Sequence, residues 1–219
     1  MKYKALLIGS IGTLIESSDI QRNSFNEAFQ EAGLDWYWDA QDYKILLKKS
    51  GGTKRVEDFA EKNNQNVNAT KIRNRKTEIF SSYIIQNKQK LRKSVPEIIK
   101  YSKDNKIKLG FSTSTTTNNV EAVFNSLDGQ IEKADFHFIG NKSLVKNEKP
   151  FPDIYKVALA NLNLKPEECL AIEDTEESSN SAVNAGIKCI GFPGNYHSDD
   201  TFKMCIKKMN LLDQSIFSL

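Results

Sequence analysis

The 219-residue chain has little of what marks the specialised classes of protein. Its three cysteines, Cys169, Cys189 and Cys205, are odd in number and far apart, which argues against a disulfide framework and against a zinc site. Its two histidines, His137 and His197, have no motif around them, so a Ser-His-Asp site has little support. Eleven glycines and five prolines are too few for a collagen-like or low-complexity chain. No apolar run approaches the roughly 20 residues of a membrane span. The longest apolar stretch near the start, residues 5–8, is shorter than the core of a signal peptide, so the cytoplasm or a plastid stroma is the expected compartment and a membrane is not an expected partner. Charge is not one-sided either: 31 basic against 28 acidic residues leave a net +3. The basic clusters at residues 44–55, 71–76 and 88–93 are nearly cancelled elsewhere, so nucleic acid is not expected as a partner.

What is present reads as globular: 39% apolar and 27% charged residues, in a chain long enough for one domain or one domain with an insert. Residues 5–8 form an apolar run that stops at Gly9, as a buried strand does. Phe25, Ala28, Phe29 and Ala32 recur at helical spacing before Gly33. Residues 34–50 read as a turn and a second helix, broken by Gly51 and Gly52. Residues 54–90 are polar and helix-favouring, and no strand is expected between residues 16 and 90. After residue 92 helices alternate with strands: a helix after Pro96, a strand around Ile107 to Phe111, a helix at Val120–Leu127, a strand at 136–139, a helix with Tyr155, Ala158, Leu159 and Leu162, a strand at 170–172, a helix from about Ser178 to Ala185, and a strand at 187–192. The alternation predicts an α/β fold: a Rossmann-like parallel sheet core, residues 1–15 and 91–219, with a helical cap, 16–90, inserted after the first strand.

In such folds the polar residues just past the strand carboxyl ends line the binding crevice. Here these are residues 9–13, 112–115 and 173–174, and the cap is expected to lie over them as a lid. Glu173-Asp174 closes an apolar strand; two adjacent carboxylates there suit Mg²⁺, or else a solvated strand end with Asp174 capping the next helix. Lys149, between a turn and a helix, could hold a phosphate or be an exposed turn lysine. Thr113 could donate to a phosphate or belong to an ordinary hydroxyl-rich loop. In the cap, the segment 50–55 with Arg55, and the pair Arg75-Lys76, could clamp a phosphate or be solvated helix charges. Gly9-Ser10-Ile11-Gly12-Thr13 has neither the dinucleotide nor the P-loop spacing.

The order of these segments resembles the haloacid dehalogenase (HAD) superfamily, in the branch with β-phosphoglucomutase and the xylulose-1,5-bisphosphate phosphatases of the CbbY type. The likeness runs from about residue 3 to 194 and includes Arg22-x-x-Phe25-Asn26, Gly33-Leu34-Asp35-Trp36-x-Trp38, Gly51-Gly52-x-x-Arg55 and Lys76-Thr77. The resemblance implies that Thr113 and Lys149 hold a phosphate, that Glu173 and Asp174 hold Mg²⁺, and that Arg55, with Lys76, holds a distal phosphate of the substrate.

The first motif departs from the family's Asp-x-Asp-Gly-Thr. The nucleophile position is Gly9 and the acid/base position is Ile11; the histidine usual before Arg22 is Gln21, and Ser178 replaces a glycine of the last motif. No aspartyl-phosphate can form at Gly9 and no proton can be relayed at Ile11. Loss of a nucleophile costs about 10⁶ in kcat in the serine-protease case. A Mg²⁺ site short of a carboxylate is expected to be weak. The expected function is therefore a HAD-like protein without phosphatase activity, kept as a sugar-phosphate binder or regulator. The alternatives are a Mg²⁺-dependent sugar-phosphate phosphatase or phosphomutase with altered machinery, and an interaction scaffold for a protein partner, for which the aromatic stretch 36–43 could be the contact surface, although core packing of the insert is the favoured reading of that stretch.

Overall fold

Four consecutive apolar residues, Ala5–Ile8, are buried on both faces and form β1, the middle of a parallel sheet. The computed structural model describes residues 2–48 and 51–219. In chain order β1 is followed by α1 (Ile11–Leu14), α2 (Ser18–Glu31), α3 (Ala40–Leu46), α4 (Gly52–Lys62), α5 (Ala69–Gln86), α6 (Val95–Asp104), β2 (Lys108–Phe111), α7 (Thr117–Ser126), β3 (Phe138–Ile139), α8 (Asp153–Leu162), β4 (Cys169–Glu173), α9 (Glu176–Asn184), β5 (Lys188–Gly191) and β6 (Lys207–Lys208). The chain divides into two compact units, Met1–Glu16 with Lys88–Leu219, and Ser17–Asn87.

The first unit holds a six-stranded sheet in the order β3-β2-β1-β4-β5-β6, every described pair parallel. Ile8 stands opposite Phe111 of β2 and Ile172 of β4, so three strands reach their carboxyl ends together. Side chains alternate across the sheet. Ala5, Leu7, Ala171 and Cys189 share a core with Ile154, Tyr155 and Ala158 of α8 and Ala182 of α9. Phe111 meets Phe124 edge-on at 5.9 Å, and Phe124 meets Phe136 at 5.4 Å. The outer strands are shorter than their apolar runs: only Phe138–Ile139 of 136–139 and Lys188–Gly191 of 187–192 pair. Glu173 belongs to β4 itself rather than to the loop beyond it. Thr175, not Asp174, caps α9, accepting from the Ser178 amide at 3.1 Å, so that helix begins two residues before the expected Ser178.

Among its described residues the second unit contains helices and no strand. α5 packs along α2 and α4. Its core is aromatic. Trp38 is fully buried with ring centroids 5.0 Å from Phe25, 4.6 Å from Phe29 and 5.4 Å from Phe59. Asn26 holds the Trp38 backbone from both sides, accepting from its amide at 2.8 Å and donating to its carbonyl at 3.0 Å; Arg22 donates to that carbonyl at 3.2 Å. The aromatics of the stretch 36–43 pack inward with one exception: Trp36, Trp38 and Tyr43 are buried and Tyr37 is exposed. Ser50 of the glycine segment and Lys49 of the basic cluster lie outside the described residues. Arg75 faces out, paired with Glu31 and with Glu78 at 2.9 Å.

Candidate functional site

The carboxyl ends of β1 and β4 bring Gly9 and Glu173 side by side. Glu173 is fully buried. Its Oε1 accepts from the Tyr155 hydroxyl at 2.6 Å and is ion-paired with the Lys149 ammonium, which also donates to the Gly9 carbonyl at 3.1 Å. Lys149 is itself 8% exposed and lies 5.2 Å from the centroid of the Tyr155 ring. Glu173 Oε2 is buried with no hydrogen-bond partner among the described residues. It turns toward Gly9. A Cβ built there would stand 1.9 Å from the carboxyl carbon and 2.1 Å from Oε2, so the carboxyl group occupies the space into which any side chain at position 9 would grow. Burial pushes the Glu173 carboxyl up, against the opposing pull of Lys149. Burial also drives Tyr155 well above its ordinary value, with the Glu173 charge adding to it, so the phenol remains a donor.

Asp174 takes the other side of the same turn. It accepts from the Ser10 hydroxyl, and its Oδ2 would be 1.9 Å from a Cβ at Gly12, a position that only glycine fills with the carboxylate in this place. Arg92 faces it. Its guanidinium donates to the Gly12 carbonyl at 2.9 Å, the Phe192 carbonyl at 3.0 Å and the Pro193 carbonyl at 2.6 Å, and lies 3.6 Å from the centroid of the Phe192 ring. Burial lowers the Arg92 pKa, opposed by the carboxylates of Asp174 and Glu16. Ile11 is buried in α1. Thr113 follows β2 and is buried; its hydroxyl accepts from the Thr115 amide at 3.2 Å, the turn chemistry of its loop. Ser10 lies within the crevice segment 9–13 expected from the sequence, whereas sequence patterns do not single out Arg92 or Tyr155 for the site. Tyr155 read only as an apolar position of a helix, and its hydroxyl on a core-facing stripe was the available signal.

In the second unit, Lys76 of α5 is half-buried with its ammonium the enclosed end. The ammonium donates to Gln21 of α2 and lies 5.0 Å and 5.3 Å from the ring centroids of Phe25 and Phe80. Burial draws its pKa down from 10.5 to about 7, and the charges of Arg73 and Arg55 add to the shift. Arg55 is buried in α4, donates through Nε to the Leu46 carbonyl at 3.0 Å and lies 5.7 Å from the Tyr43 ring centroid. Three cations thus share one region of this unit. The sequence pair Arg75-Lys76 separates: Lys76 turns in and Arg75 out.

Residues 12–192 match the model of the haloacid dehalogenase-like hydrolases. The chain belongs to this family. The match opens just after Gly9 and Ile11. Protein CbbY of Cereibacter sphaeroides is 33% identical over 202 residues, spanning 91% of this chain and 88% of that protein. The crystal structure of CbbY from Rhodobacter sphaeroides in complex with phosphate superposes with a TM-score of 0.85 at 31% identity, covering 97% of this chain and 96% of that one. A mutant of the same CbbY in complex with xylulose-(1,5)bisphosphate gives 0.84 at 32% identity, covering 95% and 94%. The resemblance to CbbY-type HAD phosphatases read from the sequence is thereby shown, as is the HAD α/β fold.

HAD phosphatases typically use Mg²⁺, an ion that demands near-octahedral oxygen ligands. As arranged, this chain's donors do not fit it. Glu173 is engaged by Lys149 and Tyr155, and Asp174 leans on Gly12 with Ser10 on its other oxygen. Among the described residues no group of three or more His, Cys, Asp or Glu side chains could hold a metal ion.

Proposed function

We propose that this HAD-family chain binds a phosphorylated sugar without transferring its phosphoryl group. One observation carries the reading: the Glu173 carboxyl group, pinned by Lys149 and Tyr155, fills the space beside Gly9 where the family places its nucleophile. Gly9 offers no oxygen to phosphorus and Ile11 holds no proton for the leaving sugar oxygen. Lys149 is already neutralised by Glu173, so the core offers an incoming phosphate little net positive charge. Lys76, Arg55 and Arg73 instead supply a site for a phosphate in the helical unit. The CbbY complexes with phosphate and with xylulose-(1,5)bisphosphate support the choice of a sugar phosphate or bisphosphate as ligand. Thr113 and Lys149 are assigned a lesser part in holding it, and the protein's role is that of a binder or regulator.

A second reading rests on Glu173 Oε2, an unpartnered carboxylate oxygen at the nucleophile's place. If the chain is an active phosphatase, Glu173 is the residue to form the acyl phosphate. The test is phosphate release from xylulose-1,5-bisphosphate and a panel of phosphosugars with Mg²⁺, beside calorimetric binding of the same compounds. Binding without release, weakened by Lys76→Met, is the expected result. Release by the native protein that Glu173→Gln abolishes would establish the second reading. Neither binding nor release across the panel would overturn both.

A further inference from the structure

Cys189 lies on β5, and Cys205 in the segment that leads into β6. The parallel register of Ile190 with Lys207, and the Ile206 amide bonded to the Cys189 carbonyl at 2.9 Å, run Cys205 along the edge of β5. That register sets Cys189 opposite Ile206 with Cys205 one residue short of it; with strands about 4.8 Å apart and a rise of about 3.3 Å per residue, the diagonal is about 5.8 Å between Cα atoms, within the range a disulfide spans. The Cys189 thiol donates to the Ile190 carbonyl at 3.6 Å, and both cysteine side chains pack on the same core cluster. Their exposures differ. Cys189 is fully buried, whereas Cys205 is partly open to solvent.

We propose that Cys189 and Cys205 are a peroxide-oxidised, thiol-reducible pair, with Cys205 the sulfur that meets the oxidant and Cys189 the resolving thiol. The Cys205 thiolate attacks one oxygen of a hydroperoxide, the O–O bond breaks, and the departing oxygen takes up a proton as water. Cys205 is then a sulfenic acid. Cys189 attacks that sulfur, the S–O bond breaks, the thiol proton leaves with the hydroxyl as a second water, and the disulfide forms. In sum, two thiols and one hydrogen peroxide give one disulfide and two waters. The Cys189 and Ser179 side chains hold the Cys205 thiol beside them below its ordinary value, which favours it as the sulfur that meets the oxidant; burial drives Cys189 well above, which makes its attack on the sulfenic acid the slower step. Cys169, buried on β4 and pushed up to about 12 by burial, is the internal control.

The bridge would join β5 to a segment that already holds the start of α9. Thr201 donates to the Glu176 carboxylate through its amide at 3.2 Å, and Glu176 opens α9 directly after Asp174-Thr175. Oxidation would therefore tie the flank of the Glu173–Asp174 turn to the sheet. This inference does not depend on the sugar-phosphate reading.

The experiment is titration of the full-length native protein with hydrogen peroxide, read by free-thiol count, intact mass and peptide mapping. The three thiols of the chain should fall to one, with the loss of two hydrogens, a peptide linking positions 189 and 205 within one chain, and full recovery in dithiothreitol. Cys189→Ser should stall at a dimedone-reactive sulfenic acid on Cys205, and Cys205→Ser should slow thiol loss by about tenfold or more. Three surviving thiols, a link between two chains, or Cys205 passing to sulfinic acid in the native protein without a bridge would each overturn the proposal.

Discussion

Glu173 shows how one missing side chain reorganises its neighbours. A carboxylate at position 9 would repel Glu173; with glycine there, the Glu173 carboxyl group moves against the backbone and keeps Lys149 and Tyr155 as its partners. Two consequences can be measured by urea denaturation. Gly9→Ala places a methyl group 1.9 Å from the Glu173 carboxyl carbon, and the overpacking should cost about 1–3 kcal/mol. Glu173→Gln leaves the buried Lys149 ammonium without its counter-charge, and loss of one partner of a buried pair should cost about 3–5 kcal/mol. Unfolding of both variants at the native midpoint would refute the placement of the carboxyl group against Gly9. The pair itself was legible in the sequence as polar residues at a strand end and a helix start. The occupation of the Gly9 space was not, because it depends on side-chain placement across two strands that are 164 positions apart (173 − 9).

At the scale of the element, α2 and α5 together make the environment of Lys76. An unfolded lysine titrates near 10.5, this one at about 7. Below about pH 7 both states hold the proton, and the full penalty of enclosing an ammonium weighs on the fold. Between the two values the native lysine is neutral while the unfolded one is still charged, so this contribution makes stability rise with pH; above 10.5 the penalty is gone. Lys76→Met should therefore stabilise the protein more at about pH 6 than at about pH 9, as thermal melts of the two proteins would read. Sulfate, which does not titrate in this range, should raise the native melting temperature more at the lower pH, and that extra gain should vanish in Lys76→Met. Equal shifts at both pH values would refute the buried-ammonium account. The same two helices explain why the sequence segment 22–38 carried so specific a resemblance. Arg22 and Asn26 close the hydrogen bonds of a buried Trp38 backbone, and Asn26→Ala should cost about 1–3 kcal/mol by stranding them.

For the whole molecule, the parts that were legible are those written in apolar periodicity. β1 is an unbroken apolar run, β4 is one up to Ile172, β2 carries Leu109 and Phe111 in alternation after Ile107, and α8 repeats its buried residues at helical spacing, so the parallel sheet and the long helical insert followed from pattern alone. β6 did not. Its two residues, Lys207 and Lys208, are exposed lysines held in the sheet by backbone bonds, among them Ile206 to Cys189 and Met209 to Gly191 at 2.8 Å, which no side-chain pattern announces. Arg92 was hidden for the related reason that its work is done on three carbonyls from distant turns.

The strand ends acting together also give an expectation for Mg²⁺. A divalent cation would have to displace Lys149 from Glu173 and draw Asp174 away from Ser10 and Gly12, with no side-chain oxygen arriving from Gly9 or Ile11. The Glu173 charge is already compensated by Lys149, so the ion has little to gain from it unless the ammonium leaves. Calorimetry on the native protein should accordingly give no saturable Mg²⁺ binding at millimolar concentrations. Gly9→Asp/Ile11→Asp adds two carboxylates at the end of β1 and forces Glu173 out of the space it fills, which should create a measurable Mg²⁺ site even if the fold is weakened. Saturable binding by the native protein, lost in Asp174→Asn, would mean that Glu173 and Asp174 rearrange around the ion, and the non-hydrolytic reading would then have to be abandoned in favour of the enzyme.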